Sequence, residues 1–332
     1  MSGAPEPPTP GRSGKGQRVA DRPGVSMVPP AEFRSYYGRP ILKAPIWTDE
    51  VPAYYFAGGL AGASASLALG ARLTGNHRLA SGALTASAAG ILASLPLLAD
   101  DLGRPERFYH MLRVFKPTSP MNLGSWLLTA AGPAAVGAAL ADRLGILPRL
   151  GRAAEVVAGV LGPGLATYTG VLVADTAVPV WHEAGDQLPV VFAAGAAASA
   201  GAAATLLTPA ADAGPARRLA VGGALADLAA VEVMRRRLGD LGTPYERPPA
   251  RRFANLARGF MTAGALAVGL GGRRRTGAAA GAALILAGAA CQRFAVHKAG
   301  IISAADPAYV VGPQRARLAA RDGSRHQPAT GA

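Results

Sequence analysis

The sequence predicts an all-α integral membrane protein with eight transmembrane helices, and two observations carry that prediction. Half of the 332 residues are apolar and only 16% are charged, where a soluble domain carries about a quarter. The apolar residues are also gathered into uncharged runs, with the cations confined to the ends and to short stretches between runs. Each helix that crosses the hydrocarbon core needs about 20 apolar residues. Ala, Gly, Val and Leu dominate the runs, and small residues let neighbouring helices approach closely in lipid.

From Met1 to about Pro30 the chain is rich in Pro, Gly and Arg, a composition that predicts disorder. No basic start followed by a short apolar core is present, so no cleaved signal peptide is expected. Phe33–Pro45 mixes aromatic and apolar residues and is expected to lie on the membrane surface or on a partner. The expected organisation is a leader over 1–45, a membrane domain over 46–300 and a polar tail over 301–332.

Five strong spans follow in order: Ala53–Ala71, Leu79–Ala99, Met121–Ala141, Val156–Ala174 and Leu188–Ala211. Three weaker ones complete the set. Leu219–Met234 carries Asp227 and Glu232, Gly259–Gly272 is short, and Thr276–Gln292 ends the series just before His297. Eight crossings place both ends of the membrane domain on one side, here side A. Side B has only short turns, which hold 10 of the 34 Lys and Arg residues and leave 34 − 10 = 24 for side A. The positive-inside rule makes side A cytoplasmic, by a margin that narrows close to the spans. The expected location is therefore the cell membrane, with multiple passes and cytoplasmic termini.

A net charge of +14 would raise nucleic-acid binding in a soluble protein. Here the cations sit between apolar runs, so topology and anionic lipid account for them and no nucleic-acid partner is expected. Cys291 is the single cysteine, so neither a disulfide framework nor an iron–sulfur cluster is built on this chain. The five histidines, at 77, 110, 182, 297 and 326, fall in loops, at span ends or in the tail. That leaves no bis-histidine pair for a haem and no metal site.

The residues able to carry chemistry collect on side A. Trp47, Asp49, Glu50, Tyr54 and Tyr55 open the first span, ahead of Gly58, Gly59 and Gly62. Acids beside aromatics at an interface suit a quinone headgroup, whose ring needs a flat apolar slot and whose carbonyls need donors. An aromatic belt with Asp49 near the N-cap and Pro52 in the first turn accounts for the same residues. The loop holding Asp101, Arg104, Glu106 and Arg107 mixes both charge signs with aromatics, as a docking surface for a soluble partner does and as a solvated loop does. Tyr168 lies about two turns inside the bilayer edge, with Asp175 on nearly the same helix face and Trp181-His182-Glu183 beyond it. Asp227 falls near the middle of the sixth span, where an acid signals a proton relay or a buried ion pair. Glu232 is expected to pair with Arg235 or Arg236.

Together, Tyr54-Tyr55-Phe56-Ala-Gly58-Gly59, Asp101-Leu-Gly103-Arg104-Pro105-Glu106-Arg107-Phe108, Ser119-Pro120-Met121-Asn122-Leu-Gly124-Ser125-Trp126 and Tyr168-Thr169-Gly170 with Pro179-Val-Trp181 resemble the NrfD family, the membrane subunits of polysulfide-reductase-type molybdoenzymes. The resemblance covers Trp47 to Pro209 and resumes at His297-Lys298-Ala-Gly300. It implies two four-helix bundles and a site for quinone, menaquinone or ubiquinone, near the surface. It also implies an iron–sulfur cluster subunit as electron partner and a molybdopterin catalytic subunit beyond it. By position, Tyr54 and Tyr168 match quinone-contacting places in the family, and Trp47, Asp49 and His182 stand around them. Some members have histidine at the position of Tyr54 and asparagine at that of Val51, which makes Glu50, Asp49 and Asp175 the candidate replacements. Glu50, Asp175 and Asp227 are the proton-transfer candidates. Two rival readings remain, a secondary transporter built around Asp227 and a structural anchor without quinone chemistry.

Overall fold

Several helices begin where the sequence supplies a proline or a cap and end where it supplies glycine or another proline. Pro120, Pro148 and Pro215 sit in the first turns of three of them, where the missing N–H costs nothing. Ser119 caps one helix by accepting from the Asn122 amide, and Gly145 closes the same helix in the left-handed region at φ 66°. The computed structural model describes residues 41–43, 45, 47–101, 105–271 and 274–325, and among these every regular element is helical. The disorder expected before Pro30, most of Phe33–Pro45 and the last seven residues lie outside the described residues.

The elements are α1 (Glu50–Leu73), α2 (His77–Asp101), α3 (Pro120–Leu144), α4 (Pro148–Ala174), α5 (Pro179–Glu183), α6 (Leu188–Leu207), α7 (Gly214–Leu238), α8 (Ala250–Gly271), α9 (Arg275–Ala305) and α10 (Ala308–Arg325). Short 3-10 helices occupy Pro105–Leu112 and Gly239–Glu246. Each expected span falls on a long helix, with altered ends. Thr208-Pro209 stops α6 at Leu207, and α8 begins earlier, at Ala250. The largest correction concerns the last span. It does not end at Gln292 but continues through Arg293 and His297 to Ala305, because those polar side chains are buried among helices and need no exit to water. A tenth helix, α10, forms in the segment read as a polar tail.

Six helices are long and apolar enough to cross a membrane: α2, α3, α4, α6, α8 and α9. By length, α1 and α7 would also suffice, at 24 and 25 residues or about 36 Å. Their composition is less apolar. Tyr54, Tyr55 and several Gly and Ser residues dilute α1, while α7 carries Arg217, Arg218, Asp227 and Glu232. Packing explains the tolerance for α1, which lies against α2, α4, α6 and α9 and presents its polar groups to protein more than to lipid.

Helices α1–α4 pack as one group and α6–α9 as another, with α6 and α1 at the seam. Small residues set the distances. A Cβ on Gly62 of α1 would strike the Gly162 carbonyl of α4, and one on Gly162 would strike that of Gly62. Gly201 of α6 and Gly223 of α7 meet each other's helix backbones in the same way.

On side B the first group is closed by charge. Arg72 Nη2 donates to Asp142 at 2.7 Å and Arg72 Nε to Glu155 at 3.1 Å, which joins α1, α3 and α4. Glu155 is buried and Arg72 is nearly so. Asn76 in the α1–α2 turn donates to the Asp212 carbonyl at 2.9 Å and ties that turn to the α6–α7 turn. Replacing Arg72 by Met removes the cation that both carboxylates share and leaves Glu155 with only Arg152, at 4.0 Å. Thermal unfolding in detergent is expected to show a loss of about 3 kcal/mol, and a wild-type midpoint would rule out the triad as a clamp.

Candidate functional site

At the side A end of the first helix group, the start of α1, the end of α2, the start of α3 and the end of α4 leave a cavity of about 290 Å³. Trp47, Tyr54, Tyr168 and Asp175 all line it. They come from the approach to α1, from α1 itself, from the last two turns of α4 and from its C-cap. Leu98, Met111, Leu128 and Leu172 give the remaining wall an apolar character.

The Tyr54 and Tyr168 hydroxyls are hydrogen-bonded to each other, and both rings are buried. A phenol donates one proton and accepts more than one. When one hydroxyl donates to the other, the second proton is left for a carbonyl in the cavity. Gly124 makes room for this arrangement, because a Cβ there would collide with the Tyr168 ring. Asn122 anchors the neighbouring loop. Its side-chain nitrogen donates to the Met111 and Val114 carbonyls at 2.7 and 2.9 Å, and its oxygen accepts from the Lys116 amide at 2.7 Å. Met111 is thereby held in the cavity wall.

Trp47 is supported from behind. It stacks on Trp181 of α5 with ring centroids 5.5 Å apart, and Trp181 Nε1 donates to the Val296 carbonyl of α9 at 2.8 Å. Gly300 leaves the space that the Trp181 ring fills, and His297 lies 6.2 Å from that ring by centroids. Lys298 pairs with Asp49 beside the start of α1. The His297-Lys298-Ala-Gly300 segment thus works as a support for the aromatic wall.

The other expected site residues are placed elsewhere. Asp49 is engaged by Lys298, with no side-chain cap to α1, and Glu50 stands in the first turn of α1 outside the cavity lining. His182 is exposed on α5, away from the cavity. Arg104 lies outside the described residues, as do the side chains of Asp101, Glu106 and Arg107. Glu232 bonds Arg236 at 2.8 Å, as expected.

Asp227 is buried in the second helix group with its Oδ1 unpaired, and the buried cation that lies near it escaped the sequence reading. Arg293 of α9 is equally buried, donates to the Phe192 carbonyl at 2.8 Å and stacks over the Phe192 ring at 4.0 Å. Asp227 and Arg293 both face Gly195, where a Cβ would lie 2.9 Å from each. A separate cavity of about 290 Å³ runs from Asp227 and Gln292 past Tyr245 to Glu232, Arg235 and Arg258. Burial pushes the Tyr245 phenol above its ordinary value. Sequence spacing gave no signal for Arg293, since it follows directly on the apolar run expected to end at Gln292. His297 was assigned to a span end for the same reason. Among the described residues no group of three or more His, Cys, Asp or Glu is arranged to hold a metal ion.

Residues 45–241 match the family model described as polysulphide reductase, NrfD. No curated protein matches the chain.

If Asp227 and Arg293 neutralise each other, Asp227→Asn strands a buried cation and is expected to lower thermal stability in detergent by about 3–5 kcal/mol. Adding Arg293→Gln is expected to restore part of that loss. An Asp227→Asn protein as stable as wild type would exclude a structural pairing.

Proposed function

Because the chain belongs to the NrfD family of membrane subunits from quinone-interacting molybdoenzyme complexes, we propose that it exchanges electrons between the quinone pool and an iron–sulfur partner through the Tyr54–Tyr168 cavity. The observation that carries this reading is the convergence of Trp47, Tyr54, Tyr168 and Asp175 on one cavity beside apolar walls. Pockets for flat apolar ligands combine such walls with a few placed polar groups. The proposal includes eight crossings, with α1 and α7 joining the six apolar helices, and side A on the cytoplasmic face of the cell membrane.

A quinone headgroup fits the residues present. Trp47 and the leucines supply a slot for a flat ring, and the tyrosine pair supplies a buried hydroxyl donor. When bound, the quinone supplies two-electron redox chemistry whose electrons pass singly to the partner's clusters. The chain's own residues bind and handle protons. The tyrosine pair orients the headgroup with the one hydroxyl proton not used between Tyr54 and Tyr168, which is donated to a carbonyl. Asp175, at the exposed rim, accepts a proton from the site and hands it to water. Glu50 and Asp227 are proton-transfer candidates outside this cavity. In this reading the iron–sulfur subunit docks on the side A surface that includes the segment 101–107, and a molybdopterin subunit converts the substrate on another chain.

The test uses the complex as purified from membranes. Iron–sulfur and molybdenum proteins are expected to co-purify, and Tyr168→Phe is expected to reduce quinone affinity about tenfold by removing a buried donor. Unchanged quinone affinity in Tyr168→Phe would remove the tyrosine pair from the site. A chain that purifies alone and moves a solute would support transport instead.

A further inference from the structure

The side B ends of the two helix groups differ in how their cations are neutralised. In the first group Arg72, Arg78 and Arg152 each face a carboxylate, and Arg78 takes Asp212 at 3.3 Å. In the second group Arg217 and Arg218 stand at the start of α7, and Arg274 and Arg275 at the start of α9. Among the described residues none of these four pairs with an acid. Neither helix has an acidic residue in its first turn, where the helix dipole favours acids and opposes cations. The described chain thus gathers four positive charges there without supplying a counter-charge.

Two of these arginines stand over a groove of about 610 Å³ between the side B ends of α7 and α8. Arg217 and Arg218 form its polar side, and Val221 and Leu270 belong to its apolar side. Arg217 is anchored by donating to the Ala210 carbonyl at 3.0 Å. Arg218 is exposed and folds back along the first turn, with its Nη1 3.9 Å from where a Cβ on Gly214 would stand. Leu270 is 86% exposed. One turn deeper on the same helix faces, at four residues from Val221 and from Leu270, Leu225 and Leu266 are each 57% exposed. Cations therefore give way within a turn to bare apolar surface. Because α8 is among the helices long and apolar enough to cross a membrane, its end falls at the level of the lipid headgroups.

We propose that this groove binds an anionic phospholipid, with the phosphate held by Arg217 and Arg218 and an acyl chain laid along Val221, Leu225, Leu266 and Leu270. Guanidinium groups offer paired N–H donors that match phosphate oxygens, and basic pockets between transmembrane helices suit anionic headgroups. Arg274 and Arg275 add attraction from the start of α9, which lies close against the end of α8 where Gly271 faces Gly277. A free phosphate would satisfy the arginines and leave the leucines bare. A zwitterionic lipid brings its own cation into a cluster that already has an excess of them. The proposal needs the side B end of α8 to stand among headgroups, and it is independent of the quinone reading.

The test titrates the full chain, in dodecyl maltoside, with phosphatidylglycerol that carries a fluorophore on one acyl chain. Phosphatidylcholine with the same label is the comparison. Wild type is expected to bind the phosphatidylglycerol more tightly. That preference is expected to fall about fivefold in Arg218→Gln and about twenty-five-fold in Arg217→Gln with Arg218→Gln. Among the described residues Arg218 makes no internal hydrogen bond, so the single variant keeps the test open if the double variant fails to fold. Arg149→Gln removes the same charge from an exposed side B position on α4 and is expected to leave the preference unchanged. Equal wild-type affinities for the two lipids overturn the proposal, as does a preference unchanged in both arginine variants. An equal fall in Arg149→Gln overturns it in favour of diffuse attraction by net charge. Displacement of the labelled lipid by millimolar inorganic phosphate overturns it in favour of a free anion.

Discussion

Two backbones meet where Gly62 on α1 faces Gly162 on α4, with no side chain between them. In lipid, helices gain nothing from hiding apolar surface from one another, so contact depends on close packing, and close packing depends on small residues. The consequence reaches the site directly. Tyr54 precedes Gly62 by 62 − 54 = 8 residues and Tyr168 follows Gly162 by 168 − 162 = 6. On antiparallel helices these offsets run in the same direction, by about 12 Å and about 9 Å at 1.5 Å per residue. Two glycines deep in the bundle therefore set the distance at which two phenols at its end can share a hydrogen bond. Gly124 on α3 completes the arrangement by admitting the Tyr168 ring.

The two ends of this helix group meet their polar needs differently. Side B locks three helices with an arginine between two carboxylates, and the charges there are mutually satisfied. Side A holds neutral hydroxyls and aromatic rings around a space. A buried triad of opposite charges resists rearrangement, because separating any member leaves an uncompensated charge. Neutral donors around a cavity exchange partners at lower cost. Rigidity at one end and exchangeable bonding at the other is the division that the proposed binding and release of a quinone would need.

Much of this was legible in the sequence. The spans followed from uncharged runs, and Trp47, Tyr54, Tyr168 and Asp175 stood out because polar aromatics near a bilayer edge need partners. The seven-residue spacing of Tyr168 and Asp175 put them on one face, and both line the same cavity. What escaped were charges whose partners are distant in the chain. Glu155 and Arg293 each flank an apolar run, and nothing local reveals that one meets an arginine 83 residues away or that the other shares the space beside Gly195 with an aspartate of another helix. Asp49 stands at the N-cap position of α1 as expected, but its carboxylate is engaged by Lys298 and not by the first-turn amides. The fall in apolarity along α1 is explained only by its neighbours, which replace lipid as its surroundings.

The aromatic wall has a consequence for the order in which the protein is made. Trp47 lies just ahead of α1 and is synthesised early, yet its backing depends on α5 and on Val296, His297 and Gly300 of α9. Chains fold from the N-terminus as they emerge, so the tyrosine pair is assembled early, while its wall waits for the ninth helix. A site that begins near residue 47 is finished only near residue 300. A nascent or truncated chain carries the hydroxyls without the aromatic slot, so the cavity wall is a property of the completed helix assembly.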